Sequence, residues 1–577
     1  MGKNNILKTY LKFGVLSLTI FLGACNKDTK ESVTETIITA GKGDSKIAFI
    51  IDGIESSKEA PAKSSKGVTS GGEVILANSK IVSVGDMDYL VTISEKNTTG
   101  SGRKTVDSRS KHSSGAPSAV RNTENIRQGR TYRIVLFNTD DQGNPTTVHA
   151  QAEGTVGNTS LQIQADADRK YRWYAYTYNN TSTIPAFNAT SGTVPVLPSG
   201  DSQSGRQDFA YASGVITTSE TEDNNITRIV FTRKTALFEV EVNSKGMFSQ
   251  LRGFSPMIKS NSGVFRTEFR LLDSTHTAFS SDLPGGSIKN YTSDRDNVSV
   301  GVDSVVTPNT KWRFKFYSPA DGQTASSLVV SADTIKLLGI QVKASDGLEL
   351  NSARDFYDKS FPFPSFVAEP GKIYRISLKL IESPIVVGNT KWARGNTWRD
   401  GDGLVTPEGF NEYLIRFDNP LYDSRYVVPF TDYFTDDIYD VVDGRNICRL
   451  IYPRDTWDLP TQQDFRDLIA YTNKSVKVLR NSWFLRVIPT VPAQGAPSYP
   501  NEFLDFVPVG YQTTLQGYVY DYYPNSTNYP STVGYYRTRT MGTFAQFSYS
   551  NNPQAQIIQN VSRNSYTYAP VRCVRRQ

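Results

Sequence analysis

Residues 129–136 read G-R-T-Y-R-I-V-L, and residues 371–378 read G-K-I-Y-R-I-S-L. Both fit G-[RK]-x-Y-R-I-x-L, a glycine turn opening into a run of aromatic and β-branched residues, which is how a strand begins. Two related β-sandwiches set end to end explain the echo. Outward from the first copy lie I-A-F-I-I-D at 47–52, E-V-I-L-A at 73–77 and Y-L-V-T-I-S at 89–94, short runs bounded by Gly, Asp and Ser. D-D-Q-G-N-P at 140–145 is a turn signal. Y-R-W-Y-A-Y-T-Y at 171–178 is an aromatic strand expected to pin one sheet face into a core. Outward from the second copy, residues 226–242 place Leu237, Glu239 and Glu241 on one face against Phe238, Val240 and Val242 on the other. W-R-F-K-F at 312–316 alternates in the same way, and no run here holds a helical apolar stripe. Strands at this spacing, with turns between them, are the signature of an all-β sandwich.

Two passages interrupt the pattern. Residues 95–129 are rich in Ser, Gly, Arg and Lys and read as an exposed loop, in which Arg103, Arg109, Arg121 and Arg127 are candidate protease sites. Residues 181–205, rich in Thr, Ser, Pro and Gly, loosen the strand pattern.

A chain of 577 residues predicts three or four domains at roughly 150 residues each. Its 38% hydrophobic and 11% aromatic content is enough for true cores. Its 31 Tyr, 29 Phe and 42 Gly favour strands over helices. The formal charge of +6 falls to +3 once Lys3, Lys8 and Lys12 are assigned to a leader, too balanced to imply a nucleic-acid partner. His112, His149 and His276 are scattered, and no CxxC or HxxxH spacing exists, so neither a clustered metal site nor a histidine base is expected. The chain reads as non-enzymatic, without a cofactor.

Residues 1–12 are basic, and residues 13–24 (F-G-V-L-S-L-T-I-F-L-G-A) are apolar but too short to span a bilayer. That is a secretory signal. Its end, L-G-A-C at 22–25, resembles a lipobox. The resemblance implies cleavage before Cys25 and acylation of that residue, palmitate included. Two or three acyl chains anchor where one holds only marginally. Asn26-Lys27-Asp28 resembles the signal that sends lipoproteins to the outer face of the outer membrane, and residues 25–45 have the composition of a tether. With Cys25 in the leader signal, Cys448 and Cys573 are left as a natural pair.

The lipobox, Y-R-W-Y-A-Y-T-Y, T-R-K-T-A-L-F-E-V-E-V at 232–242 and P-G-K-I-Y-R-I-S-L at 370–378 together resemble the fimbrillin-type surface lipoproteins over residues 46–383. That family implies two tandem transthyretin-like sandwiches, here at 46–215 and 216–383. It also implies assembly by strand exchange after a protease removes an N-terminal strand. An open sheet edge accepts a partner's strand through main-chain hydrogen bonds.

Beyond a proline-containing link, D-G-D-G at 400–403 reads as a tight acidic turn, with Asp400 and Asp402 as alternative ligands of half a calcium loop. Residues 447–469 (I-C-R-L-I-Y-P-R-D-T-W-D-L-P-T-Q-Q-D-F-R-D-L-I) read as a strand, a turn and a helix. Thr461 caps that helix with Asp464 three residues on, while Phe465, Leu468 and Ile469 form one apolar stripe.

W-D-L-P-T-Q-Q-D-F-R-D-L at 457–468, F-L-D-F-V-P-V-G at 503–510 and V-R-C-V-R at 571–575 are similar to the FISUMP-type major paralogous domain. The likeness implies an α+β C-type-lectin-like domain over 384–577. It also supports the Cys448–Cys573 disulfide, which would close a long loop and stabilise by roughly 4–5 kcal/mol. G-Y-Y-R-T-R at 534–539 departs from the family's aromatic-Trp-Ser-Ser run. Tyr518, Tyr520, Tyr522, Tyr523, Tyr529, Tyr535 and Tyr536 crowd this region. About half should belong to strands and ordered loops, and Tyr522, Tyr523, Tyr529, Tyr535 and Tyr536 are the candidates for contacting a sugar or a protein.

The reading as a whole is a surface-anchored fimbrial subunit, minor or at the tip, adhering through its C-terminal domain. Its partners would be the outer membrane through Cys25, other fimbrial subunits, and a host or bacterial surface glycan or protein. The alternative is a stand-alone outer-membrane glycan-binding lipoprotein that never polymerises.

Overall fold

The fold comes from a computed structural model, which describes the chain with internal gaps from Thr36 to Arg576. The main stretches outside the description are 1–35, 56–72, 105–121, 289–310, 400–412, 416–445, 488–503 and 521–532. The described residues are mainly β.

The first sheet runs in the order Thr36–Gly41, Thr159–Ala165, Ser45–Glu55, Ile226–Arg233, Ala210–Thr217, Lys170–Thr177, Thr131–Thr139, Pro145–Thr155. Two of its pairings are parallel, Thr36–Gly41 with Thr159–Ala165 and Ser45–Glu55 with Ile226–Arg233. The sheet curls until its far ends meet, where His149 Nε2 lies 2.9 Å from the carbonyl oxygen of Gln164. Ile47, Phe49, Ile134, Leu136, Leu161, Tyr171 and Trp173 fill the inside.

The aromatic strand Lys170–Thr177 is buried on both faces, not one. Tyr174 and Tyr176 point away from that core into a second one, formed with Val135, Phe137, Ile184, Phe187, Val194, Val196 and Phe269. The passage that loosened the strand pattern supplies this cover. Ile184, Phe187, Val194 and Val196 sit there among Thr, Ser and Pro, so composition alone hid them.

The second sheet runs Ser199–Gly200, Lys311–Pro319, Thr235–Gly246, Ile373–Glu382, Met87–Lys96, Glu73–Asn78. Phe238, Val240 and Val242 face inward with Tyr89, Val91, Phe314, Phe316, Ile376 and Leu378. They meet Ile335, Leu337, Phe356 and Phe361 from the opposing sheet, which contains Leu251–Lys259, Val329–Lys343 and Glu349–Pro362. On the outer face Glu239 lies 3.4 Å from Lys315, 3.5 Å from Lys96 and 3.4 Å from Arg375. Alternation thus separates an apolar core from a ladder of paired charges.

These sheets cut across the linear division at 215/216. The hairpin of Glu73–Asn78 and Met87–Lys96 belongs to the second sheet, and Ile226–Arg233 belongs to the first. Local signals locate a strand but not the edge it pairs with, because pairing is a long-range choice. The chain passes between the sheets at Lys234, where Asp208 is fully buried. Its carboxylate accepts from Arg233 Nε at 3.2 Å, Asn179 Nδ2 at 2.9 Å and Thr235 Oγ1 at 3.3 Å. Burial alone would raise its pKa, but Arg233, Arg206 and Asn179 together hold it below the ordinary carboxylate range.

The two copies of the opening motif share their glycine, tyrosine and arginine roles. Gly129 and Gly371 both turn with left-handed φ, 81° and 76°, and Tyr132 and Tyr374 are both buried. Arg133 bonds Glu153 at 2.9 Å, while Arg375 is paired with Glu73.

Two local expectations change. Thr36–Gly41, inside the expected tether, is a strand whose T-I-I-T run pairs with Thr159–Ala165. Residues Ile447–Leu450 form a single helical turn, not a strand, because Asn446 caps it by accepting from the Arg449 N–H at 3.3 Å.

Candidate functional site

The C-terminal end of the chain is built around one small sheet, ordered Ile385–Val387, Thr390–Trp392, Val574–Arg575, Trp457–Asp458. Val574–Arg575 therefore lies inside the sheet, antiparallel to a strand on each side. Beside it Cys448 and Cys573 form a disulfide with their Cα atoms 5.7 Å apart. Both cysteines pack with Ala393, Ile447, Ile451, Trp457, Leu459 and Val571 in one apolar cluster.

The helix Gln462–Ala470 is fixed to this sheet through its first turn. Thr461 N–H donates to Asp464 at 2.6 Å, and Asp464 N–H donates to Thr461 Oγ1 at 3.2 Å, the reciprocal capping pair the sequence predicts. Arg576 then closes on the same carboxylate, Nη1 at 3.0 Å and Nη2 at 2.6 Å, and Thr390 Oγ1 reaches it at 3.3 Å. Burial would raise the Asp464 pKa, yet the bonds from Arg576 and Thr461 hold it down. Asp458 is held down likewise, against burial, by Asn446, the Leu459 N–H, Arg539 and Arg449. Both carboxylates are spent on tying segments together.

Of the tyrosines, Tyr536 is fully buried, its ring 5.2 Å from Phe506 and 5.7 Å from Phe547. It is a core residue, and its candidacy as a ligand contact is corrected. Period-two alternation along Val533–Arg537 forces one of two adjacent tyrosines inward. Tyr535 is the half-buried one and accepts from Gln546 Nε2 at 3.0 Å. Tyr522, Tyr523 and Tyr529 lie outside the described residues, as do Cys25, Asp400, Asp402, Arg109 and Arg121. Arg127 is exposed just before the first motif glycine, and Arg103 lies in a two-residue strand paired with Asn122–Glu124.

Among the described residues no group of three His, Cys, Asp or Glu side chains gathers as a metal site. His276 Nε2 lies 3.1 Å from the Lys234 carbonyl oxygen, and burial lowers its pKa. The second notable place is the edge strand Thr36–Gly41, whose pairing runs along Thr159–Ala165. Sequence reading missed it because it is six residues long and lies within a polar, threonine-rich stretch.

No protein-family model and no curated protein matches the sequence. Among solved structures, the chain is similar to a candidate cell adhesion protein from Bacteroides fragilis at 11% identity. That match covers 58% of this chain and 92% of the other, with a TM-score of 0.29. A candidate cell adhesion protein from Bacteroides ovatus matches at 11% identity over 43% of this chain and 90% of its own, with a TM-score of 0.26. The fimbrial anchor protein Mfa2 from Porphyromonas gingivalis matches at 13% identity over 36% and 71%, with a TM-score of 0.20. At these scores the fold rests on the strand pairing described above.

Proposed function

We propose that this chain is a non-enzymatic, surface-anchored fimbrial subunit of the fimbrillin type that accepts a partner's strand but does not donate one. It would stand at a fibre end and adhere through its C-terminal region. In this reading Cys25 carries the lipid, the two sandwiches form the body and residues 384–577 form the lectin-like adhesive unit. The body's sheets trade strands across the 215/216 boundary.

One observation carries the reading. Val574–Arg575 is an inner strand of its own sheet, held beside the Cys448–Cys573 disulfide and followed by the Arg576–Asp464 pair. A strand paired on both sides within its own sheet is not free to complete a neighbour's. The accepting side would be the place of Thr36–Gly41, a short end strand in parallel register, the weaker of the two pairing geometries. A cut at the candidate points Arg103, Arg109, Arg121 or Arg127 would free Ser45–Glu55, Glu73–Asn78 and Met87–Lys96 together with Thr36–Gly41.

The stand-alone glycan-binding reading has its own support, since the uncut chain completes both large sheets with its own N-terminal strands. Shearing appendages from cells, followed by N-terminal sequencing of this chain within them, separates the two. The proposal expects a trimmed N-terminus in the fibre fraction. An intact N-terminus on monomers that stay out of that fraction contradicts it.

A further inference from the structure

We propose that Asp88 and Arg575 form a latch through which the N-terminal hairpin holds the C-terminal sheet on the second sandwich. Mounting of the C-terminal sheet then depends on Met87–Lys96 occupying the edge of Ile373–Glu382.

Asp88 and Arg575 are 487 residues apart in sequence, yet the guanidinium donates directly to the Asp88 carboxylate. Arg575 also donates to the carbonyl oxygen of Glu382, and its guanidinium lies 4.5 Å over the Trp457 ring. Its Nε finds no partner among the described residues. The Glu382 carboxylate in turn lies 3.2 Å from Arg394 Nε, which also donates to the Ser383 carbonyl oxygen at 2.9 Å. All four ionic residues are buried. Two acids and two bases make the cluster neutral, the condition on which buried charges are tolerated.

Three strands meet in it: Met87–Lys96 brings Asp88, Ile373–Glu382 brings Glu382, and Val574–Arg575 brings Arg575. In register Asp88 sits opposite Ile381, so the hairpin must be seated on that edge for its carboxylate to reach the cluster. If the hairpin leaves, a buried guanidinium loses the carboxylate that accepts its hydrogen bond, and removing one member of a buried pair is strongly destabilising.

A second contact places the same bodies together. Tyr452 OH accepts from Asn243 Nδ2 at 3.0 Å, with Lys245 and Lys379 at 5.5 Å and 5.7 Å from its ring centroid. Gly246 allows the close approach, because a Cβ there would stand 2.6 Å from the Leu380 carbonyl oxygen and 3.2 Å from Pro453 Cδ. This seat uses no N-terminal residue. The latch is therefore the part of the mounting that reports on the hairpin.

Hydrogen exchange by mass spectrometry on the full oxidised chain tests this. Asp88→Asn should speed exchange at least tenfold in peptides covering 385–394 and 571–576, leaving 131–139 and 170–177 unchanged. Asp52→Asn, at the exposed pair with Arg228, should change none of these peptides. Unchanged exchange at 571–576, or equal acceleration throughout, overturns the latch. Should Asp88→Asn fail to fold, the unaltered chain decides under rising denaturant. Opening of 87–96 and 571–576 with one common dependence supports the latch, and separate dependences overturn it.

Discussion

At the residue scale, charge is used here for joining. Asp208, Glu239, Asp458 and Asp464 all have carboxyls held below the ordinary range against the opposing effect of burial. Arginines dominate for Asp208, lysines with Arg375 for Glu239, and hydrogen bonds for Asp458 and Asp464. A group whose folded pKa is depressed stabilises the fold above its unfolded pKa, about 4. That contribution disappears as pH falls through the folded value. The urea midpoint should therefore fall mainly below about pH 4, with only a smaller loss from about pH 7 to pH 5, where unfolded His276 takes up a proton that its buried folded form resists. A main loss between pH 7 and pH 5 would contradict this assignment. Tyr536 gives a second test at this scale. Tyr536→Ala should destabilise by about 3–5 kcal/mol in chemical denaturation, as large core truncations do. Tyr535→Ala, at the half-buried neighbour, should cost markedly less.

At the scale of elements, the paired motif was the most legible part of the sequence. A glycine that must take a left-handed φ followed by a buried tyrosine is a local requirement, and local requirements are written in local residues. Gly129→Ala and Gly371→Ala should each cost about 1–2 kcal/mol, the left-handed penalty. Space is not the issue, since nothing lies within 4 Å of a Cβ at Gly129 and only Arg233 Cβ, at 3.9 Å, at Gly371. Thermal unfolding of the two variants checks this, and a cost at one glycine alone would break the equivalence. The helix cap at Thr461 and Asp464 was legible for the same local reason. The helical turn at Ile447–Leu450 was not, because its apolar residues suit a strand equally well and Asn446 decides the matter. The cysteine pair was legible by counting. Cys448→Ala combined with Cys573→Ala should cost about 2–5 kcal/mol, read as a lower denaturant midpoint for opening of the 571–576 peptides in hydrogen exchange.

At the scale of the whole molecule, the sequence reads as a line of domains while the structure is cross-laced. Residues 73–96 complete a sheet whose other strands begin more than a hundred positions later, and Thr267–Arg270 pairs back onto Thr193–Val196 in the core that holds Tyr174 and Tyr176. Nothing in a run such as Y-L-V-T-I-S names its partner, because the chain chooses partners by burying whole faces. The consequence is a molecule whose N-terminal hairpin, second sandwich and C-terminal sheet meet at one buried cluster. Val574–Arg575 is paired on both sides within its own sheet, and this is the basis on which we propose a fibre-end position. Immunogold labelling of intact cells with antibody against residues 384–577 tests that claim most directly. The account predicts gold at fibre ends, and gold spread evenly along the fibres would contradict it.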